Sequence, residues 1–242
     1  MTLKTDVLGW LLNAQVALSA GSIFLPKVCR KWVWMCVLPL AVAILSVRWC
    51  DVGHPPMRNL FEAFLWLPLL LTLMTLYSAW RDKVDTSRID ALLGFIVAFP
   101  LAFVFSAQVG RLPPVLQSPL FVPHVLGYMV AYVLLTRSFV LACLRQWAAS
   151  RENVAWGFAF ISLALALGSY WGNEAWGAYW QWDPKEQWSL ATWLIYAAYF
   201  HVCHRRKWRV TLLGVGVLFI LLTVTWINLS KLFSGMHSYA GV

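Results

Sequence analysis

The sequence predicts an all-α fold: a polytopic helical bundle in a membrane, with eight transmembrane helices and both termini facing outward. Three observations carry this reading. Of 242 residues, 61% are hydrophobic and 12% charged, with a mean hydropathy of +0.67, which leaves too little polar surface to cover a soluble globule of this size. Cutting the chain at its charged residues leaves eight apolar windows, near 7–26, 32–47, 63–80, 91–110, 112–136, 153–173, 187–204 and 210–230. Between these windows the basic residues alternate from side to side without a break.

Most windows reach the roughly 20 residues that a helix needs to cross the hydrocarbon. The first carries Asn13 and Gln15 and reads either as a span or as an interfacial helix. It has no strongly basic leader and runs directly to Pro26, so it is expected to stay with the mature chain. The second is short and is extended by neighbours on both sides, whereas the third and fourth stand as complete spans. The fifth is long enough to hold a polar loop, 112–119, before a helix that begins near Leu120. The sixth ends in a tryptophan-rich segment. The seventh follows Asp183, Pro184, Lys185 and Glu186, which read as a helix start: Asp as N-cap, Pro at the first position and Glu in the first turn. The eighth follows the basic cluster around Arg205. Repeats and low-complexity stretches are absent and the loops are short, so residues 1–242 are expected to form one transmembrane domain.

Retained Lys and Arg mark the cytoplasmic side of a membrane protein. Lys4, Arg48, Arg58, Arg111, Lys185 and Lys231 fall on one side, and the other 13 of the 19 on the opposite side. Both termini and the tryptophan segment are therefore expected to face outward. This asymmetry accounts for the net charge of +9, and a nucleic-acid partner is not needed to explain it. The five cysteines, Cys29, Cys36, Cys50, Cys143 and Cys203, form no CxxC pair, no zinc spacing and no CxxCH. They read as small apolar residues, and any reducing thiols must come from other proteins.

The most informative segment is WGNEAWGAYWQWDPKEQWSL at 171–190. Trp171, Trp176, Trp180, Trp182 and Trp188 lie within 18 residues, where an interfacial aromatic belt needs only one or two rings per helix end. Such a density suggests a platform for a large flat ligand. Asp183, Glu186 and Glu174 are candidates to orient backbone or indole N–H groups and Lys185 to meet an acidic ligand group, against the plainer reading as interfacial charges.

The expected topology sorts the five histidines. His54, His124 and His237 lie at the outer face, whereas His201 falls 13 residues, or roughly 20 Å, below Trp188 on an ideal helix. His201 is thereby placed inside the membrane, where a histidine is paired, faces a cavity or binds a metal; a hydrogen bond within the bundle is the alternative. His204 lies one turn lower, beside Arg205, Arg206 and Lys207. His124 and His237 share an outer address with the tryptophans. A porphyrin iron takes a neutral imidazole on each face, so these two suit a clamp; otherwise both are solvated loop residues.

These residues resemble a known family. The 171–190 segment is similar to the WWD segment of haem-handling proteins. GHPPMRNLFEAFLWL at 53–67, VLQSPLFVPHVLGYMVAYVLL at 115–135, TWLIYAAYFH at 192–201 and MHSYAG at 236–241 narrow the resemblance to the CcsA (ResC) family of System II cytochrome c biogenesis. The first fifty residues match in hydropathy alone. The resemblance implies haem b (iron protoporphyrin IX), held non-covalently, with His124 and His237 as external axial ligands. It implies that Trp171, Trp176, Trp180, Trp182, Asp183 and Trp188 form the haem surface. His201 would serve a second, intramembrane haem position whose opposing ligand comes from a separate CcsB (ResB) partner, and no ligand role transfers to His54.

The activity so implied is haem delivery to the outer face and attachment to the CxxCH motif of apocytochrome c, as a subunit of a cytochrome c synthase (haem lyase). Attachment needs thiols, reduced iron and fixed geometry. His124 and His237 would supply the last two, and thiol-reducing proteins of the cell the first. The location implied is the bacterial inner membrane, or the thylakoid membrane in a plastid. A haem transporter or chaperone with no part in thioether formation would need the same platform. A non-catalytic subunit of a respiratory or assembly complex is a third class. CcmC and CcmF share the WWD segment, but the 53–67 and 115–135 matches favour CcsA and the chain is short for CcmF.

Overall fold

The computed structural model describes residues 3–81, 85–202 and 205–226. Among these the chain is helical, with no strand. The elements are α1 (Leu3–Phe24), α2 (Lys27–Val52), α3 (Leu60–Phe64), α4 (Trp66–Arg81), α5 (Ser87–Phe103), a 3₁₀ turn (Pro114–Leu116), α6 (Phe121–Cys143), α7 (Trp147–Trp176), α8 (Pro184–His201) and α9 (Arg206–Leu221). A π-helical turn, Leu222–Trp226, continues α9. Taking α3 and α4 as one broken helix, each expected window has its helix, and α6 starts one residue from the point expected.

Among the described residues, six segments are long and apolar enough to cross a membrane: Asp6–Phe24, Lys27–Val52, Leu60–Arg81, Phe121–Cys143, Trp147–Trp176 and Arg206–Thr225. The protein is thus a multi-pass membrane protein. The α5 helix has 17 residues, about 25 Å of rise against a hydrocarbon core of about 30 Å. The α8 helix reaches 18 residues, but Lys185, Glu186 and Gln187 occupy its first turn.

The chain forms two compact units, Met1–Pro113 and Pro114–Val242. In the first, α1 packs on α2 and α5, and α4 on α2 and α5. Its buried charges are all partnered, as a low-dielectric interior requires. Arg48, fully buried, donates through Nε and Nη2 to Glu62 Oε1 (3.2 and 2.7 Å) and through Nη1 and Nη2 to the Ala107 and Gln108 carbonyls (2.8 and 2.9 Å). Asp51 stands 3.7 Å away. Arg30 pairs with Asp85 at 3.0 Å and donates to Ser87 Oγ at 2.8 Å. Thr75 and Thr86 donate to Asp90 Oδ2 at 2.8 and 2.6 Å. Arg30, Arg48 and, in the second unit, Arg137 were counted among loop cations in the sequence; here they lie buried in helices. An arginine that finds a carboxylate or amide inside the bundle does not mark a loop.

In the second unit α6 and α7 form the main pair, with α8 on α7 and α9, and α9 on α6. The pair is close because small residues line its seam: a Cβ added to Gly127 would meet Ala164 Cβ at 3.0 Å. Within a membrane, such seams are the usual route to tight helix packing. Cys29, Cys36, Cys50 and Cys143 are free and exposed on their helices.

Candidate functional site

His124 lies in the first turn of α6, which starts where Leu120 N is held by Ser118 Oγ at 3.2 Å. Its ring rests on the α7 backbone. Nδ1 meets the Ala164 carbonyl at 2.8 Å, the oxygen that in a helix also accepts from the amide of residue 168. Gly168 permits this approach, because a Cβ there would lie 2.3 Å from His124 Cε1 and 2.5 Å from Nδ1. A carbonyl only accepts, so Nδ1 carries the proton of this bond. Metal-binding imidazoles are commonly oriented in this way, through a bond from one ring nitrogen to a carbonyl.

Aromatic rings fix the imidazole further. Trp171 stacks on it at 5.6 Å and 27°, and Tyr128, one turn along α6, meets it edge-on at 5.2 Å and 86°. Trp171 is 1% exposed, donates Nε1–H to the Val115 carbonyl at 3.0 Å and touches Phe121. It therefore backs His124 and anchors the 3₁₀ turn. Trp176, the last residue of α7, meets Trp171 at 4.9 Å and is followed by the left-handed C-cap Gly177 (φ 77°).

Beyond Gly177 the chain presents Trp180 and Trp182, whose rings meet at 5.9 Å and 87°. Trp182 is 66% exposed and has φ 59°, a left-handed conformation that costs a residue with a Cβ roughly 1–2 kcal/mol. Asp183 then starts α8 with a capping box: its side chain accepts from Lys185 N at 3.0 Å, and Glu186 Oε2 accepts from Asp183 N at 3.1 Å. Trp188 turns away to Phe219 on α9 at 5.3 Å. The five tryptophans thus divide into Trp171 with Trp176 behind His124, Trp180 with Trp182 in the loop, and Trp188 on α8 packed against α9.

His201 ends α8 and is exposed, at the far end of that helix from the tryptophan loop. His237 and His204 lie outside the described residues. His54 belongs to the first unit; Nδ1 is 2.9 Å from the Pro55 carbonyl, and its buried Nε2 has no partner among the described residues. No group of three or more His, Cys, Asp and Glu side chains is placed to hold a metal ion among the described residues. Sequence reasoning missed Ala164 and Gly168, the supports of His124. Their signal was a small-residue spacing on one helix face, which every membrane bundle shares.

A helical membrane scaffold that packs an imidazole at the start of α6 against α7, and carries an exposed tryptophan loop between α7 and α8, defines the class: a multi-pass membrane protein with an aromatic-rich loop between two of its helices. The sequence profile described as Cytochrome C assembly protein matches residues 57–237. The chain belongs to this family, and within it to the CcsA group of cytochrome c biogenesis proteins. It is 30% identical over 235 residues to the CcsA of Chlamydomonas reinhardtii, covering 83% of this chain and 65% of that one, so it spans just under two thirds of that relative. Against CcsA of Synechococcus sp. (strain CC9605) identity is 30%, covering 83% of each chain. Against Synechococcus sp. (strain CC9902) it is 30%, covering 91% of this chain and 89% of the relative. Among solved structures, "Cytochrome c Heme Lyase CcmF" superposes with a TM-score of 0.63 at 18% identity, covering 93% of this chain and 47% of that one. That likeness is one of fold.

Proposed function

We propose that the chain holds haem b non-covalently at the outer face of its membrane and positions it for attachment to the CxxCH motif of apocytochrome c, together with a CcsB partner. The observation that carries this reading is the His124 geometry: one ring nitrogen tied to the Ala164 carbonyl and the ring fixed between Trp171 and Tyr128. His237 is the second axial ligand in the proposal. Haem is the substrate here. Each cysteine S–H adds across a haem vinyl C=C, the sulfur bonding to one carbon and the proton passing to the other, with no leaving group and no net redox change.

The chain's own contribution is geometric. His124 fixes the iron through a ring that Ala164, Trp171 and Tyr128 do not let turn, while Trp180 and Trp182 limit the ring plane. Proximity and orientation of this kind supply much of the rate of an intramolecular-like step. Family membership supports the biological setting, a bacterial inner membrane or a thylakoid. Attachment is tested in membranes containing this chain, the CcsB partner and an apocytochrome: His124→Ala lowers covalent haem, read from the haemochrome spectrum after acid extraction, at least tenfold. Undiminished covalent haem refutes the proposal. The exposure of His201, about 20 Å from Trp188 along α8, favours a second reading, haem carriage without attachment; normal external haem with no thioether formed in the wild type would select it.

A further inference from the structure

The backbone at Trp182 adopts a conformation that its residue type disfavours. Its φ of 59° lies where a Cβ crowds the following carbonyl and glycine is the usual occupant. The indole is 66% exposed, so burial of the ring does not offset this. Side chains from the next helix hold it instead. Glu186 Oε2 accepts from the amides on both sides of Trp182, Gln181 N at 2.8 Å and Asp183 N at 3.1 Å. Gln187 Nε2 donates to the Trp182 carbonyl. The bond to Asp183 belongs to the capping box, but the bond to Gln181 lies two residues before the N-cap and contributes nothing to starting α8. Glycine at 182 would serve a loop tip with less strain. An indole held there by a carboxylate, at a right angle to Trp180, makes sense as a fixed corner for a ligand.

We infer that Glu186 is a positioning residue: its carboxylate, with Gln187, sets the Trp180–Trp182 corner against which a planar macrocycle is laid. The inference rests on the haem reading above and gives Glu186 a task separate from helix capping. A charged acceptor holds two amides more strongly than a neutral one. Glu186→Gln therefore loosens the corner and Glu186→Ala releases it.

The test uses the full chain in detergent, titrated with hemin under reducing conditions. Uptake is followed by Soret absorbance, ligation by the α and β bands, and ring setting by circular dichroism in the Soret region. Dissociation is timed by transfer to apomyoglobin. Glu186→Ala and Trp182→Gly are expected to keep the low-spin bands, alter the Soret dichroism and release hemin about tenfold faster, the worth of one aromatic contact; Glu186→Gln falls between. Trp182→Gly is expected to unfold no earlier than wild type, because it relieves the left-handed strain, and this separates positioning from folding. Wild-type dichroism and release rate in both Glu186→Ala and Trp182→Gly overturn the inference. A wild type that takes up no hemin overturns the haem reading on which it rests.

Discussion

Gly168→Ala tests how His124 is held. The added Cβ would stand 2.3 Å from Cε1 and 2.5 Å from Nδ1, whereas ordinary contact begins at 3.4 Å. The imidazole must therefore retreat about 1 Å. The Nδ1 to Ala164 distance of 2.8 Å then exceeds the roughly 3.2 Å limit of N–H···O bonds, and about 1 kcal/mol of net hydrogen bonding is lost. More important, the tautomer and ring direction are no longer set. Loss of such support to a metal-binding histidine typically costs 10–100-fold in metal affinity, and that is the fall expected in hemin affinity from a Soret titration at 25 °C. Gly157→Ala is the control on the same helix. Its Cβ would meet Cδ2 and Cγ of the buried Leu135 at 2.7 Å, away from His124, so it lowers stability by roughly 1–3 kcal/mol without changing the spectrum. A Gly168→Ala titration that superimposes on wild type refutes the argument that α7 orients His124.

Other outcomes follow from the charged and polar groups elsewhere in the chain. Burial raises the Asp85 carboxyl, but the Ser87 hydroxyl and amide and the Arg30 guanidinium outweigh it and hold its pKa below the ordinary value. The stability it contributes is thus fully present above its unfolded value and is lost as pH falls through the lower folded one; Asp85→Asn removes that acid dependence from thermal unfolding curves below pH 5, and an unchanged dependence contradicts it. Glu62→Ala leaves the buried Arg48 guanidinium with the Ala107 and Gln108 carbonyls but its nearest carboxylate only at Asp51, 3.7 Å away, and destabilises the first unit by about 3 kcal/mol in denaturant or thermal unfolding. His201 is exposed, so His201→Ala changes stability by less than about 0.5 kcal/mol in the same unfolding curves, and a larger loss contradicts its exposure.

The helices were legible because apolar windows and charge punctuation are local signals. The start of α6 after its polar loop and the Asp183 cap of α8 came from the same source, short-range backbone chemistry. The placement of side chains was less so. Trp171 and Trp182 lie in one motif and look alike in the sequence, but one faces the α6 seam with Ala164 and Gly168 while the other sits in a left-handed loop. That difference depends on which helix packs against α7, a tertiary fact. Arg48 was read as a loop cation because nothing local announces that Glu62, across a turn, and the carbonyls of 107 and 108 will enclose it.

The most direct test of the central claim is the visible spectrum of the full chain purified with its CcsB partner, for wild type, His124→Ala and His237→Ala, each with and without imidazole. Low-spin bis-histidine haem in the wild type, lost in either variant and restored by imidazole, is the expected result. Haem that is absent, or the same in all three proteins, would contradict the assignment of His124 and His237 as axial ligands.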